Sequence, residues 1–402
     1  MAATLAAYND ALKRIYTQDF LEEQLYSENP FLEKIEKTKR FRVGETARVP
    51  LHVSRNGGYT TLPAGGGSLN TAGNQGLEKA EFNYTNHHQQ IAIQGDAIDG
   101  TADNSLSVAN VLDTEVKGAL TDLRRQLTRQ LFLDGSGKIA QCRASSSNNV
   151  DLNTTSGANA IERGWLFVGA QVDVGTNADE DAIVDGGVIT AIDEANSAFT
   201  VDSGNVTGEG TTHFVSYKGA RAGTTSYEMN GLGNLVSDSA VFGGLDPAVE
   251  TTWKAANRDD TSQALSLSLL LQQSQKIQQK SGSEPDFLLT GLKQSRKFYE
   301  LLQQQVRYSS DSSLSAGSQG TPKWNGMEIH RHPDCQNEVA YFGIFKHLFI
   351  VAIDKPYWQN KVTGGQILDW VQGTDSYGAK LSYRVQLATN RRNVFARLGG
   401  LT

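Results

Sequence analysis

The 402-residue sequence contains few cysteines and no long apolar run. Its two cysteines, Cys142 and Cys335, lie far apart, so we expect free, buried thiols in a reducing compartment and not a disulfide framework. No window approaches eighteen consecutive apolar residues, and the first ten residues lack the basic and apolar segments of an export signal. The sequence therefore predicts neither a membrane span nor secretion.

The chain also lacks an excess of positive charge. It has 37 basic and 44 acidic residues, which give a net charge of −7, so we expect no sequence-specific binding of nucleic acid. Proline is scarce as well, with 8 residues against 40 glycines. This balance favours strands joined by turns and flexible loops.

Recognisable ligand-binding motifs are absent too. The segment Asp134–Lys138 ends like a phosphate-binding loop, but Phe132 stands where that motif needs its first glycine and Ile139 where it needs Ser or Thr. Gly231 and Gly233 lack the third glycine of a dinucleotide-binding turn. We expect no cofactor site.

The densest group of candidate metal ligands is one contiguous segment, which contains His330, His332, Asp334 and Cys335. No second group completes a known ligand spacing, so an ordinary polar loop is the simpler interpretation. No Ser–His–Asp or Cys–His set can be assembled by spacing either. We therefore predict no catalytic or metal site and a protein that is not an enzyme.

A long amphipathic helix is predicted from Ser105 to Leu133. Leucine and valine recur in this stretch every three or four residues, as on a helix with one buried face, and Gly135 and Gly137 follow it as a stop. At 1.5 Å per residue the helix would be about 43 Å long. Residues 5–28 show a similar period and predict another helix, which Asn29-Pro30 ends.

An extended hairpin is predicted within residues 43–100. Apolar and polar residues alternate from Val43 to Val53, and again at Phe82 with Tyr84 and at Ile91 with Ile93, and a glycine-rich stretch separates the two strands. Eleven strand residues span about 36 Å, so we expect a second copy of the protein to cover the apolar face. The alternative is that the hairpin folds back onto a β-rich domain of its own chain.

Three further blocks follow the long helix. Residues 138–226 predict several short strands in a small inserted sandwich or barrel. Residues 227–346 combine two helices with a buried strand at Phe287–Thr290 and a hairpin turn at Asn325-Gly326. The last block alternates through 349–353 and 381–387, and we expect its strands to pair with earlier ones. The fold class is therefore α+β.

Several loose motifs accompany this order of parts: Glu28–Leu32, Gly231–Val236, Trp253–Ala255, Pro285–Thr290 and Asn390–Leu398. Together they resemble the major capsid proteins of tailed bacteriophages with double-stranded DNA, a fold shared with encapsulins and the floor domains of herpesvirus capsids. The resemblance covers most of the chain by layout. The implied divisions are an N-terminal arm at 1–42, an extended hairpin loop at 43–100, a spine helix of the peripheral domain at 101–137, an inserted β-rich domain at 138–226, an axial domain at 227–346 and return strands to the peripheral domain at 347–402.

The resemblance implies a non-enzymatic shell subunit of the virion that forms hexamers and pentamers, is assembled in the host cytoplasm and encloses double-stranded DNA without sequence-specific binding. Scaffolding, portal and decoration proteins are the implied partners, with no membrane and no cofactor. The insertion at 138–226 would serve contacts between capsomers or a decoration protein. The residues predicted at contacts between subunits are Val49, Leu51, Val53, Gly65, Gly66, Gly67, Phe82, Tyr84, Arg124, Arg125 and Arg129.

Two other functions are compatible with the sequence. An encapsulin, a bacterial compartment of similar fold, would enclose a cargo enzyme in place of a genome. A monomeric β-rich binding or hydrolytic protein would use residues 320–340 as its site, and an activity lost on changing His330 or His332 without an effect on assembly would favour it.

Overall fold

The computed structural model describes residues 30–94, 105–153, 160–176, 182–202, 212–222, 225–303, 323–359 and 368–402. Its helices are α1 Pro30–Lys34, α2 Ser105–Phe132, α3 Leu232–Leu235, α4 Leu267–Ser281 and α5 Leu292–Gln303. The predicted helix at 5–28 lies outside the described residues. No helix in these ranges is both long enough and apolar enough to cross a membrane.

The described residues combine these helices with a larger number of strands. They are β1 Glu36–Thr38, β2 Arg42–Val43, β3 Thr46–Ser54, β4 Gly76–Asn83, β5 Thr85–Gln94, β6 Ala140–Ser146, β7 Asn149–Leu152, β8 Gln171–Thr176, β9 Ala182–Asp193, β10 Ala198–Val201, β11 His213–Tyr217, β12 Arg221–Ala222, β13 Thr225–Ser226, β14 Asn257–Asp259, β15 Phe287–Thr290, β16 Lys323–Trp324, β17 Met327–Arg331, β18 Ala340–Gly343, β19 Leu348–Ala352, β20 Tyr357–Trp358, β21 Asp369–Trp370, β22 Ser376–Thr389 and β23 Ala396–Leu398.

The long helix α2 ends one residue before the predicted end and packs on β5 of the first sheet. Its buried stripe continues through Leu120, Leu123, Leu127 and Leu131, which confirms the predicted period. Gly135 and Gly137 follow the helix with φ of +75° and +76°, values that glycine adopts without steric cost.

The first sheet is organised around the 14-residue strand β22. It runs in the order β1, β19, β22, β20, with β5 and β21 also paired to β22. The predicted pairing of the last block with earlier strands is confirmed, since Ser376–Val385 of β22 is antiparallel to β5. Both faces of β19 are buried from Leu348 to Val351, so this strand is more central than simple alternation indicates.

The second sheet has the order β14, β23, β18, β15, β17, β16 and carries the buried strand β15 at its centre. The predicted hairpin turn joins β16 and β17, where Asn325 and Gly326 have φ of +47° and +79°. Helix α4 ends at Gly282 in the left-handed conformation, as expected for a glycine stop. Helices α4 and α5 with this sheet form a core of their own.

The inserted block forms a closed barrel, in the order β10, β7, β6, β11, β8, β9. Small and β-branched residues fill its interior, among them Val150, Val172 and Val215, which are fully buried. The sequence predicted a sandwich or barrel here, and the closed barrel is the outcome. Closure leaves this small unit without an unpaired strand edge.

The extended hairpin differs from its prediction in one respect. The second predicted strand, which contained Phe82 and Ile93, is two strands that separate at Tyr84. Strand β4 pairs with β3 from Gly76 to Asn83, whereas β5 leaves the hairpin and joins β22. Ile91 and Ile93 therefore belong to the first sheet and not to the hairpin.

Candidate subunit-contact surfaces

The lower part of the hairpin, from Thr46 to Ser54 and from Gly76 to Asn83, is its root. The side chains of Val49, Leu51, Val53 and Phe82 are all less than one tenth exposed in the isolated chain. Their cover comes from elsewhere in the same chain, so a second copy is not required for it. The prediction that a neighbouring subunit covers these four side chains is corrected, and the fold-back alternative describes the root.

Residues 242–253, about 160 residues further along the chain, pack against the apolar face of the root. Phe82 meets the ring of Phe242 edge to face at 5.2 Å. Gly243 accepts a backbone hydrogen bond from Glu81 at 2.8 Å, and its φ of +64° lets it approach the root closely. Thr252 donates its hydroxyl to the carbonyl of Val53 at 2.9 Å. These contacts hold both strands of the root against the body of the chain.

Charged side chains lie on the opposite, exposed face of the root. Glu81 accepts from Arg48 at 2.9 Å and from Lys79 at 2.8 Å. The hydrogen bond from Lys79 holds the pKa of Glu81 below its usual value, with Arg48 acting in the same direction. Tyr84, at the end of the hairpin, is half-buried against the core, and burial raises the pKa of its phenol. Tyr84 is therefore only partly available to a neighbouring subunit.

Residues 56–75, between the two root strands, form the tip of the hairpin. No charged residue occurs from Asn56 to Leu77, and Tyr59, Leu69 and Leu77 are 81%, 78% and 74% exposed. Asn56 links the two limbs of the tip, because its side chain accepts from Gly58 at 2.8 Å and from Gly73 at 3.1 Å. The tip therefore presents an apolar, uncharged surface.

The predicted contact residues Gly65, Gly66 and Gly67 are exposed at this tip. Gly66 donates its backbone N–H to Pro63 at 3.0 Å and turns the chain with φ of +89°. The prediction named these glycines but missed the exposed apolar residues beside them. The charge-free run from 56 to 77 was the signal that could have identified Tyr59 and Leu69, since protein interfaces are depleted of charge at their centre.

The three arginines predicted on α2 lie in different environments. Arg125 is exposed and Arg124 is half-buried, whereas Arg129 is 1% exposed. Arg129 forms a buried ion pair with Glu228, and its guanidinium lies 5.0 Å from the ring of Tyr217 in the barrel. The prediction that Arg129 contacts another subunit is therefore wrong, because its charge is fully used inside the chain.

Arg129 joins the helix to the barrel through its contact with the ring of Tyr217, whereas Glu228 follows the barrel in the chain. Gln126 accepts from Arg129 Nε at 2.9 Å, and Tyr217 donates its hydroxyl to the carbonyl of Trp165. Burial raises the pKa of the Tyr217 phenol, so it stays a neutral donor. The barrel is thus anchored on the helix that supports the first sheet.

The candidate metal-ligand segment supplies a second anchor for the barrel. Asp334 accepts from the indole N–H of Trp165 at 3.1 Å, and the carbonyl of Cys335 accepts from Arg163 at 2.9 Å. His332 stacks on Phe132 at the end of α2, with ring centroids 4.9 Å apart. Burial raises the pKa of the Cys335 thiol to about 12, which leaves it protonated and a poor metal ligand.

His330 is part of an aromatic cluster at the start of the described chain. Its ring lies edge to face with Phe31 at 5.9 Å and with Phe345 at 5.5 Å. Lys34 forms an ion pair with Glu328 beside this cluster. Within the described ranges, no group of three or more His, Cys, Asp and Glu side chains has the arrangement to hold a metal ion.

Arg392 is a structural residue that the sequence analysis missed. Its side chain is fully buried and donates to five carbonyls on segment 234–253. The guanidinium also lies 5.2 Å from the ring of Phe242, which packs on the hairpin root. Burial lowers the pKa of Arg392 to about 10, with Asp238 acting in the opposite direction, so the group remains charged at neutral pH. Arg392 thus organises the segment that supports the hairpin.

Comparison with solved structures shows one overall similarity. The chain matches the capsid asymmetric unit of cyanophage A-1(L) with a TM-score of 0.54 and 11% identity, over 92% of this chain and 90% of that one. A native GTA particle capsid matches with a TM-score of 0.49 and 8% identity over 96% and 91%. The SrpI encapsulin from Synechococcus elongatus PCC 7942 matches with a TM-score of 0.46 and 10% identity over 98% and 95%.

The fold assignment rests on the cyanophage structure, since the other two scores lie below 0.5. No protein-family profile and no curated sequence matches the chain. The cyanophage match extends over almost the whole chain. The chain has the capsid fold that the major capsid proteins of tailed bacteriophages share with encapsulins.

Proposed function

We propose that this chain is a major capsid protein, which self-assembles into hexamers and pentamers and forms the icosahedral head of a bacteriophage around double-stranded DNA. The capsid fold supports this function. His330, His332 and Cys335 serve packing. A structural and non-enzymatic role is the simplest account of them.

The exposed tip of the hairpin is the observation that carries the proposal. A two-stranded ribbon is marginal alone in water, yet this one has a tightly held root and an uncharged, apolar tip. An exposed apolar surface of this kind marks an interaction site. Because the side chains of Tyr59 and Leu69 are about four-fifths exposed in their own chain, we propose that a neighbouring copy covers them, together with Gly65–Gly67. The intermolecular part of the hairpin is thus its tip and not its root.

The remaining regions follow from this role. We propose residues 1–42 as an arm, 101–137 as the spine helix, 227–346 as the axial domain near the centre of each capsomer, and 347–402 as strands of the peripheral domain. The barrel within 138–226 is a surface domain for contacts between capsomers or for a decoration protein. A scaffolding protein and a portal are further proposed partners, with assembly in the host cytoplasm and residence in the virion.

DNA inside such a shell requires a container that does not bind it tightly. The net charge of −7 limits the number of phosphate contacts, which dominate affinity for nucleic acid. Arg125, exposed on α2, and its half-buried neighbour Arg124 are the local basic positions that we propose for contacts in the shell. Neither position implies sequence recognition.

The test compares wild type with the double variant Tyr59→Ser/Leu69→Ser by negative-stain electron microscopy and sedimentation. Burying a large apolar side chain stabilises by about 1.5–3 kcal/mol, so losing two of them removes at least about 3 kcal/mol per contact. The concentration needed for assembly then rises by about 100-fold or more. Wild type should form closed shells or rings of five or six, and the variant should remain as folded monomers under the same conditions.

Val249→Ser is the matched control, because Val249 is also about three-quarters exposed but lies outside the tip. It should assemble like wild type. Double-stranded DNA recovered from shells made during infection supports the phage head, whereas a protein cargo identifies an encapsulin-like compartment. Normal assembly by the tip variant would contradict the proposed contact.

A further inference from the structure

Three Asn-Gly pairs occur in the sequence, beginning at Asn56, Asn230 and Asn325, and each can lose ammonia without an enzyme. In this reaction the backbone nitrogen of the glycine attacks Cγ, the side-chain carbonyl carbon of the asparagine. Glycine permits the attack because it has no Cβ to hinder its nitrogen and its backbone reaches more conformations than that of other residues. The local structure therefore decides which of the three pairs reacts in the folded chain.

The pairs at Asn230 and Asn325 are held by their surroundings. Gly231 is buried, and a Cβ there would lie 2.0 Å from the carbonyl oxygen of Leu133, so its backbone has no room to turn. Asn325 and Gly326 form the two-residue turn between β16 and β17, and both have positive φ. Closing a five-membered ring would change the backbone torsion between these two residues, which the paired strands fix. We therefore expect both pairs to react slowly.

The pair at Asn56, at the start of the hairpin tip, is open to solvent. Asn56 and Gly57 are exposed, and a Cβ at Gly57 would meet no atom within 4 Å. Water and solvent base therefore reach this pair, and its backbone has room to turn. The side-chain oxygen Oδ1 of Asn56 accepts from the N–H of Gly58 at 2.8 Å. The ring of atoms closed by this bond contains both Cγ of Asn56 and the nitrogen of Gly57, so the bond keeps the two reacting atoms together.

A second backbone donor points at the same oxygen. The N–H of Gly73, on the other limb of the tip, donates to Asn56 Oδ1 at 3.1 Å. Attack at Cγ turns this oxygen into an oxyanion, and hydrogen bonds to a charged group are roughly twice as strong as those between neutral groups. The two donors therefore stabilise the transition state more than the ground state, as in an oxyanion hole. We expect them to accelerate the reaction about tenfold together, which corresponds to about 1.4 kcal/mol.

We propose that Asn56 is a self-modification site, which deamidates in the folded, unassembled chain. A bond forms between the nitrogen of Gly57 and Cγ of Asn56, and the bond between Cγ and Nδ2 breaks. Nδ2 leaves as ammonia with the proton that the Gly57 nitrogen loses, and a cyclic imide remains. Water then opens the imide to aspartate or isoaspartate. The reaction needs only the folded monomer and water, so it does not depend on the capsid function.

The product changes the hairpin tip. Asn56 Nδ2 donates to the carbonyl of Gly73 at 2.5 Å, and a carboxylate at this position has no such donor. A negative charge then faces that carbonyl, in a segment that carries no other charge from residue 56 to residue 75. Charge is depleted at the centres of protein interfaces, so we expect the modified tip to bind a neighbouring copy more weakly. This consequence, unlike the reaction, rests on the proposed function.

Peptide mapping by mass spectrometry tests the proposal on the full chain, kept unassembled at neutral pH and sampled over time. In the folded chain, Asn56 should deamidate about tenfold faster than Asn325, and Asn230 should be the slowest of the three. In the chain unfolded by urea, the three pairs should react at similar rates, because the fold no longer distinguishes them. A folded-chain rate at Asn56 that does not exceed the rate at Asn325, or the rate of the same pair in urea, would overturn the proposal.

Two matched variants separate the reaction from unspecific damage to the tip. Gly57→Ala should slow the reaction at Asn56 at least about threefold, because alanine lacks the backbone freedom of glycine and its Cβ hinders the attack. Gly65→Ala is the control: a Cβ at Gly65 also meets nothing within 4 Å, and the rate at Asn56 should not change. Equal rates in the two variants would contradict attack by the Gly57 nitrogen. Asn56→Asp then tests the consequence, since assembly at the wild-type concentration would contradict the weakened tip contact and leave the reaction itself standing.

Discussion

Replacing Arg392 by methionine should destabilise segment 234–253, which packs on the hairpin root. Arg392 Nε donates to Leu235 at 2.9 Å, and its two terminal nitrogens donate to the carbonyls of Asn234 at 2.9 Å, Ser237 at 2.7 Å and Ala240 at 3.1 Å. Methionine keeps the apolar stem but leaves these four acceptors, and the fifth and most distant one at Trp253, 3.5 Å away, without a charged donor. Segment 234–253 should therefore unfold locally more often than in the wild type.

The expected magnitude follows from the number of bonds. A hydrogen bond to a charged group contributes about 1.5–3 kcal/mol, so four would give about 6–12 kcal/mol if they were additive. Bonds that share one group are not additive, and water reaches some of the freed carbonyls, so we expect a loss of at least about 4 kcal/mol. Losses of this size are diagnostic of a broken buried network.

Amide hydrogen exchange resolved to residues 232–253 measures this loss locally. A loss of about 4 kcal/mol corresponds to exchange about 1,000-fold faster in that segment. The neighbouring variant Arg391→Met is the control, because Arg391 is half-buried and donates to Ser281 at 2.8 Å. It loses one bond of this kind, so it should cost about 1.5 kcal/mol. Equal effects of the two variants would refute the assignment of Arg392 as the organising residue.

Three further predictions concern the described core. In urea denaturation, Gly243→Ala should lower the free energy of unfolding by about 2–3 kcal/mol more than Gly244→Ala. Both glycines have positive φ, but a Cβ at Gly243 would lie 2.9 Å from Phe82, whereas a Cβ at Gly244 meets nothing within 4 Å. Burial lowers the pKa of His87 to about 4, so between pH 6.5 and pH 4 the unfolded chain binds more protons than the folded chain. The free energy of unfolding should therefore fall by about 3 kcal/mol as the pH is lowered through that window. His87→Gln should flatten this part of the pH profile, and an unchanged profile would contradict the buried, neutral imidazole. Trp165→Phe keeps an aromatic ring but removes the N–H that donates to Asp334 and some buried volume, so differential scanning calorimetry should show a loss of at least about 1 kcal/mol. No loss would mean that this anchor is not needed.

The elements with a strong local signal were predictable from the sequence. The helix Ser105–Phe132 has a regular leucine stripe and a glycine stop, and the prediction missed its end by one residue. The turn at Asn325-Gly326 was also correct, because two residues in the left-handed region require such a pair. In both cases the information lies within a few residues of the element.

The environment of the hairpin was not predictable in this way. Its alternating pattern shows that one face is apolar but not what covers that face, and the cover comes from Phe242 and Trp253, far along the chain. The separation of β4 from β5 at Tyr84 was also hidden, because Phe82 with Tyr84 and Ile91 with Ile93 show the same alternation although the two pairs lie on strands with different partners. Length alone therefore led to an incorrect inference that a second copy covers the root.

The burial of Arg129 on α2 could not be predicted from the sequence either. Arg129 belongs to a basic stretch of α2 whose charges, taken alone, indicate a solvated face, yet it is buried. Its partner Glu228 is 99 residues away, so no helical spacing reports the ion pair. Burial of charge depends on a partner from another element, which a single sequence does not reveal. The residues of the tip, by contrast, shared a visible lack of charge.

The central claim is that a neighbouring subunit covers the hairpin tip. A cryo-electron microscopy reconstruction of assembled particles tests it most directly, because it locates the tip, residues 56–75, relative to the adjacent copy. The account predicts closed shells in which Tyr59 and Leu69 are buried against a second subunit while Val49 and Phe82 stay packed in their own chain. A shell in which the tip projects into solvent, or a protein that stays monomeric with every scaffold tried, would contradict it.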